Sequence, residues 1–167
     1  ESWAKVVGKL LAGKHDIEHL ILDFSEIRPA GKRLKGYGWL CSGYEPFAKA
    51  LESIALLLSK KSGCLLSAID ILDIINHLGT VLSSRRSAQI CLLDVEDIEA
   101  KNFATIKKDY WLTGNYQRAQ SNNSLLFWEK PSKEKLEELF TLMIDSGGSE
   151  PAFINRSEEH TSELQSH

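Results

Sequence analysis

Ser67–Gly79, SAIDILDIINHLG, followed by Thr80–Ser87, TVLSSRRS, and Ala88–Asp94, AQICLLD, is the stretch that decides the fold. Ile71, Ile74, Ile75 and Leu78 recur at helical spacing and predict a helix that ends at Gly79, with Asp70 and Asp73 on its other side. Ala88–Leu93 is short and apolar, as a buried strand is, and the acidic run Asp94–Glu99 suits the first turn of a further helix. Helix, basic turn, strand and helix in that order predict an α/β fold rather than a helical bundle.

The pattern extends in both directions. Upstream, Trp3, Val6, Val7, Leu10 and Leu11 predict a first helix closed by Gly13, and Leu20–Phe24 reads as a short strand. Pro46 suits a first helical turn, and Phe47, Leu51, Ile54, Leu57 and Leu58 give the next helix its apolar face. Downstream, Ser121-Asn122-Asn123 reads as a polar turn before a strand at Leu125–Trp128. Ser132 can cap a last helix carrying Leu136, Leu139, Phe140 and Met143, which Gly147-Gly148 ends.

With 167 residues, 43% hydrophobic and 26% charged, the chain is long enough for one domain with a sizeable core. Its net charge of −3 argues against a general nucleic-acid binder, and no apolar run reaches bilayer length, so no nucleic-acid or membrane partner and a cytoplasmic setting are expected. Cys41, Cys64 and Cys91 lie too far apart for a C-x-x-C motif. Cys64 and Cys91 read as buried small hydrophobes, whereas Cys41 has cations as neighbours. His15 and His19 share the spacing of a metal pair, but no third ligand is visible and they read as a solvated loop.

Positive charge is local. Arg28–Gly43, RPAGKRLKGYGWLCSG, sets Arg28, Lys32, Arg33 and Lys35 among four glycines, and Ser83–Ala88, SSRRSA, forms a second basic turn. Glycine lets backbone amides approach an anion, and arginine grips phosphate in a bidentate fork. Neither stretch matches a phosphate-loop or dinucleotide pattern, so two solvated basic turns and two anion-binding loops both fit the residues.

In order along the chain, ESWAKVVGKLL, LILDFSEIRPAGKRLKGYGWLCSG, DILDIINHLGTVLSSRRSAQICLLD, SNNSLLF and GSEPAFIN resemble the adenosylcobalamin-dependent (class II) ribonucleotide reductases, in particular the ribonucleoside-triphosphate reductases. The resemblance runs from about Glu1 to Asn155. It implies part of a ten-stranded α/β barrel, an adenosylcobalamin cofactor, a ribonucleoside triphosphate substrate, a deoxynucleotide effector and a thioredoxin-type reductant. It also implies that Arg28, Gly31, Lys32 and Gly36 belong to the effector loop and Arg85, Arg86 and Ser87 to the second specificity loop. Asn122 and Asn123 would start a barrel strand near the substrate.

The chain departs from the family at Gly38-Trp39-Leu40-Cys41, where a glycine pair with small residues is usual. It also lacks the N-x-C-x-E pattern of the radical cysteine, so no catalytic residue and no metal ligand is expected in it. The expectation is an interior fragment, residues 1–155, of the reductase barrel. Arg156–His167, RSEEHTSELQSH, resembles an in-frame translation of a sequencing-adapter oligonucleotide and is expected not to be native. The rivals are the large subunit of a metal-radical (class I) reductase and a non-catalytic nucleotide-binding regulatory module.

Overall fold

The computed structural model describes residues 2–13, 21–35, 40–81 and 89–156. It divides into two units, Glu1–Leu65 with His77–Arg86, and Leu66–Asn76 with Ser87–His167.

In the first unit, helix α1 (Ser2–Ala12) ends at Gly13, whose φ of 58° is the left-handed turn that glycine adopts without a Cβ penalty. Helix α2 (Glu45–Lys60) carries Pro46 in its first turn. Trp3, Val6, Val7 and Leu10 of α1 pack against buried Phe47, Ala50 and Leu51 of α2. Trp3 stacks on Phe47 with ring centroids 4.6 Å apart. The strand expected at Leu20–Phe24 is not formed over residues 21–24. No strand lies beside this segment among the described residues; Leu22 and Phe24 join the helical core instead, while Asp23 Oδ1 accepts the Ser25 N–H at 2.8 Å and turns the chain.

The second unit is α/β. Strands β1 (Gln89–Asp94), β2 (Ser121–Phe127) and β3 (Ala152–Asn155) form a parallel sheet in that order. Leu93 lies opposite Leu125, and Leu125 opposite Phe153. Helices α4 (Ala100–Thr105) and α5 (Lys133–Ser146) supply the crossovers such a sheet needs. Ser132 caps α5 by accepting the Lys135 N–H at 3.1 Å, and Gly147 ends the helix at φ 68°. Ser121-Asn122-Asn123, expected as a turn, is strand: β1 supplies a ladder partner for each residue, and ladder pairing outweighs their turn propensity.

One face of the sheet holds the core. Val95, Phe103, Leu125, Phe127 and Leu139 are buried together, with Cys91, Leu93 and Phe153 against them. On the other face Ile90 is 69% and Leu92 52% exposed. A parallel sheet is ordinarily covered on both faces, and among the described residues this face is left partly uncovered at Ile90 and Leu92.

Helix α3 (Ala68–Gly79) overturns a sequence expectation. Ile71 and Ile75 are solvent-facing, whereas Leu72, Asp73, Ile74 and Asn76 are buried. Asp73 can be buried because Arg118 binds it with two prongs, Nε to Oδ1 at 2.8 Å and Nη2 to Oδ2 at 2.7 Å, and Gln117 Nε2 adds a third donor at 3.2 Å. Both arrive from the short 3-10 helix Tyr116–Gln120 that leads into β2.

Removing one partner of such a pair leaves a buried charge uncompensated. Asp73→Ala is expected to cost about 3–5 kcal/mol in urea denaturation, and adding Arg118→Met to restore most of that loss. Equal destabilisation by the single and double variants would contradict the ion pair's role.

Candidate functional site

The loop from Arg28 to Gly43 closes on its own base. Gly31 N–H donates to the Cys41 carbonyl at 2.9 Å and Cys41 N–H to the Lys32 carbonyl at 2.7 Å, while Arg33 and Leu40 form an antiparallel bridge. Cys41 Sγ reaches the Arg28 carbonyl at 3.3 Å. Gly43, at φ 82°, is buried where a Cβ would lie 2.6 Å from Glu45 Oε2 and 3.2 Å from the Ala30 Cβ. Only glycine fits that turn without displacement.

A cleft of about 590 Å³ opens beside this loop, entirely within the first unit. Trp3, Phe24 and Phe47 wall it, with Arg28, Asp23 and Cys41 among its polar lining. Phe24 meets Phe47 edge-on at 6.1 Å, a favourable packing of the two rings. Arg28 is exposed, and its guanidinium has no partner among the described residues. Hydrogen bonds from the Ser25 backbone and then its hydroxyl hold the Asp23 carboxyl below its ordinary value, so it is ionised at neutral pH. The cleft therefore offers aromatic surface, a free bidentate cation and two carboxylates, Asp23 and Glu26, a set that can meet a phosphate through Arg28, a flat ring through the aromatic wall and hydroxyl groups through the acids.

Of the expected effector-loop residues, Gly31 and Lys32 lie on the closed base of the loop and Arg28 on the cleft. Gly36 and Trp39, the second-loop residues Arg85, Arg86 and Ser87, the pair His15 and His19, and the tail from Ser157 lie outside the described residues. Asn122 and Asn123 do start a strand, but alternation sends them to opposite faces. Asn122 is exposed on the open face; Asn123 is 2% exposed on the helix side, where its Oδ1 accepts the Ser121 hydroxyl at 2.8 Å.

Sequence reasoning missed a polar lock at the amino end of β2. Lys107 Nζ donates to the Ser121 carbonyl and pairs with Glu150 at 2.9 Å, and Glu150 Oε2 accepts the Asn123 N–H at 3.2 Å. The only local signal was Glu150 beside Pro151, a residue with no N–H to offer β2. The cysteines also differ from expectation. Cys64 is exposed on the turn after α2, where Lys61 O accepts its N–H at 2.9 Å and no helix face is left to bury it. Cys91 is part-buried, and burial pushes its thiol up, away from a thiolate. Among the described residues no group of three or more His, Cys, Asp or Glu could hold a metal, and no helix is long and apolar enough to cross a membrane.

No family model and no solved structure matches the chain. Curated relatives do. The adenosylcobalamin-dependent ribonucleoside-triphosphate reductase of Lactobacillus leichmannii is 35% identical over 111 residues, 65% of this chain and 14% of its own length. The protein of the same name from Lacticaseibacillus paracasei is 38% identical over 109 residues, 64% of this chain and 14% of its own length. A Dictyostelium discoideum protein, named as a probable adenosylcobalamin-dependent ribonucleoside-triphosphate reductase, is 32% identical over 131 residues, 75% of this chain and 17% of its own length. The chain spans about one seventh of the length of the bacterial relatives it matches. Similarity at this level makes the chain a relative, over part of their length, of the adenosylcobalamin-dependent ribonucleoside-triphosphate reductases.

Proposed function

We propose that the chain is the effector-binding part of an enzyme that reduces ribonucleoside triphosphates to deoxyribonucleotides in the cytoplasm, with a thioredoxin-type protein as reductant. The observation that carries this is the unpaired Arg28 guanidinium on a cleft walled by Trp3, Phe24 and Phe47. Arg28 holds the effector's phosphates, the Gly31 and Lys32 turn frames them, and the aromatic wall receives the base. The second basic loop, Arg85-Arg86-Ser87, relays effector identity to the substrate base through contacts that differ between its two settings. Asn122, on the open sheet face, is the member of its pair able to meet substrate. The relatives' names favour the cobalamin-dependent branch over a metal-radical large subunit.

In this reading residues 1–155 are part of the reductase barrel and residues 156–167 are foreign to it. The exposed Ile90 and Leu92 and the two sheet edges that no described strand pairs with support its belonging to a larger, ten-stranded barrel. Adenosylcobalamin in such enzymes supplies the radical that starts the reaction. The described residues do not form a site for it: the cleft's one cysteine is tied to the Arg28 carbonyl, and its other polar side chains are Asp23, Glu26, Arg28 and Ser42 among rings and aliphatic groups. The chemical step is therefore assigned to none of them.

Two outcomes follow. Deoxynucleoside triphosphates should bind the chain and quench Trp3 fluorescence, and Arg28→Ala should weaken that binding by about 1.5–3 kcal/mol, the scale of a hydrogen bond to a charged group. Unchanged affinity in Arg28→Ala would return the loop to a solvated basic turn. The chain alone, given adenosylcobalamin, a dithiol and a ribonucleoside triphosphate, should yield no deoxynucleotide above a protein-free control, because no N-x-C-x-E cysteine is present. Measured turnover would overturn the assignment.

A further inference from the structure

We propose that a second cleft, of about 200 Å³ beside the amino end of β2, binds a small molecule that carries a carboxylate or similar oxyanion on a flat apolar body. It lies wholly within the second unit, shares no residue with the Arg28 cleft and does not depend on the effector reading.

Asn123, 2% exposed, is among the residues that line the cleft. Its Oδ1 is taken by the Ser121 hydroxyl, which leaves Nδ2 as a donor with no partner among the described residues, on a residue that lines the cleft. An amide donor with no protein partner is available to an acceptor oxygen placed in the cleft, and a bond to it adds to binding. The charge at the rim selects an anion. Lys107 is neutralised by Glu150, whereas Lys108 has no ion pair among the described residues, so one positive charge is left over. Tyr110 and Trp111, edge-to-face at 5.2 Å, supply ring surface, and Trp111 is 52% exposed. They are carried on a turn in which Asp109 holds φ 52°, a left-handed conformation that aspartate tolerates better than most residues. The volume is below the roughly 300–1,000 Å³ of drug-sized pockets. A single ring bearing a carboxylate fits the donor, the charge and the flat wall together.

The test uses the isotope-labelled full chain at constant ionic strength, titrated separately with benzoate and with inorganic phosphate. The Asn123 side-chain amide and the Trp111 indole N–H resonances are followed. Both should shift and saturate with benzoate, and phosphate should bind about tenfold more weakly because it cannot use the rings. Asn123→Asp keeps the oxygen that Ser121 needs and replaces the donor by a carboxylate, so benzoate affinity should fall about tenfold or more. Lys108→Gln, an exposed change that leaves the fold alone, should cost about threefold. Absence of saturation at both resonances, phosphate binding as tightly as benzoate, or unchanged benzoate affinity in Lys108→Gln and in a folded Asn123→Asp would each overturn the proposal.

Discussion

The fork between Arg118 and Asp73 fixes the second unit. Its two short bonds tie α3 to the segment that becomes β2, and a third, from Nη1 to the Ile106 carbonyl at 3.2 Å, adds the end of α4. Three elements far apart in sequence thus share one planar group, whose geometry fits a carboxylate and a carbonyl at once. The sheet's packed face follows from it, because Leu72 lies one residue before Asp73 and enters the same core as Leu125 and Phe127. A buried ion pair is a costly way to join elements, but it specifies one arrangement where apolar contacts alone tolerate several. Asn76 lies one turn beyond it, fully buried, and its side-chain amide has no hydrogen-bond partner among the described residues; nothing in the structure accounts for it.

The sequence made the helices and the α/β class legible because periodic apolar residues and end signals are local. Gly13, Pro46, Ser132 and Gly147 each mark a boundary within a residue or two of the observed one. Long-range chemistry was not legible in the same way. Asp73 looks like a surface residue until Arg118, 45 positions away, is brought to it, and Asn123 looks like a turn former until β1 pairs with it. Residues 21–24 do not form the expected strand for the converse reason: no ladder lies beside them among the described residues, and Leu22 and Phe24 are drawn into a helical core.

For the candidate site, the basic glycine-rich loop was visible in the sequence and its role was not. Charge and glycine content are equally those of a solvated turn. What distinguishes the loop is the cleft of aromatic rings beside Arg28, built from Trp3 in α1 and Phe47 in α2, residues that periodicity assigned simply to the core. The same holds for the open sheet face. Ile90 and Leu92 belong to an apolar run whose burial the sequence implies, and that expectation fits a sheet with more chain packed over it than these residues provide.

The lock formed by Lys107 and Glu150 bears on how β3 can sit. Ser121 O and Asn123 N–H point toward the β3 side just where that strand has not yet begun, and the ion pair occupies both. Sliding β3 by two residues along β2 would keep its inward and outward faces correct, so the hydrophobic pattern alone does not forbid it. Such a slip would set Pro151 against the ladder without an N–H and evict Glu150 from its two partners. The alternative seating is thereby disfavoured twice over, and an acid, a base and a proline beyond the strand's own end make a four-residue strand single-valued.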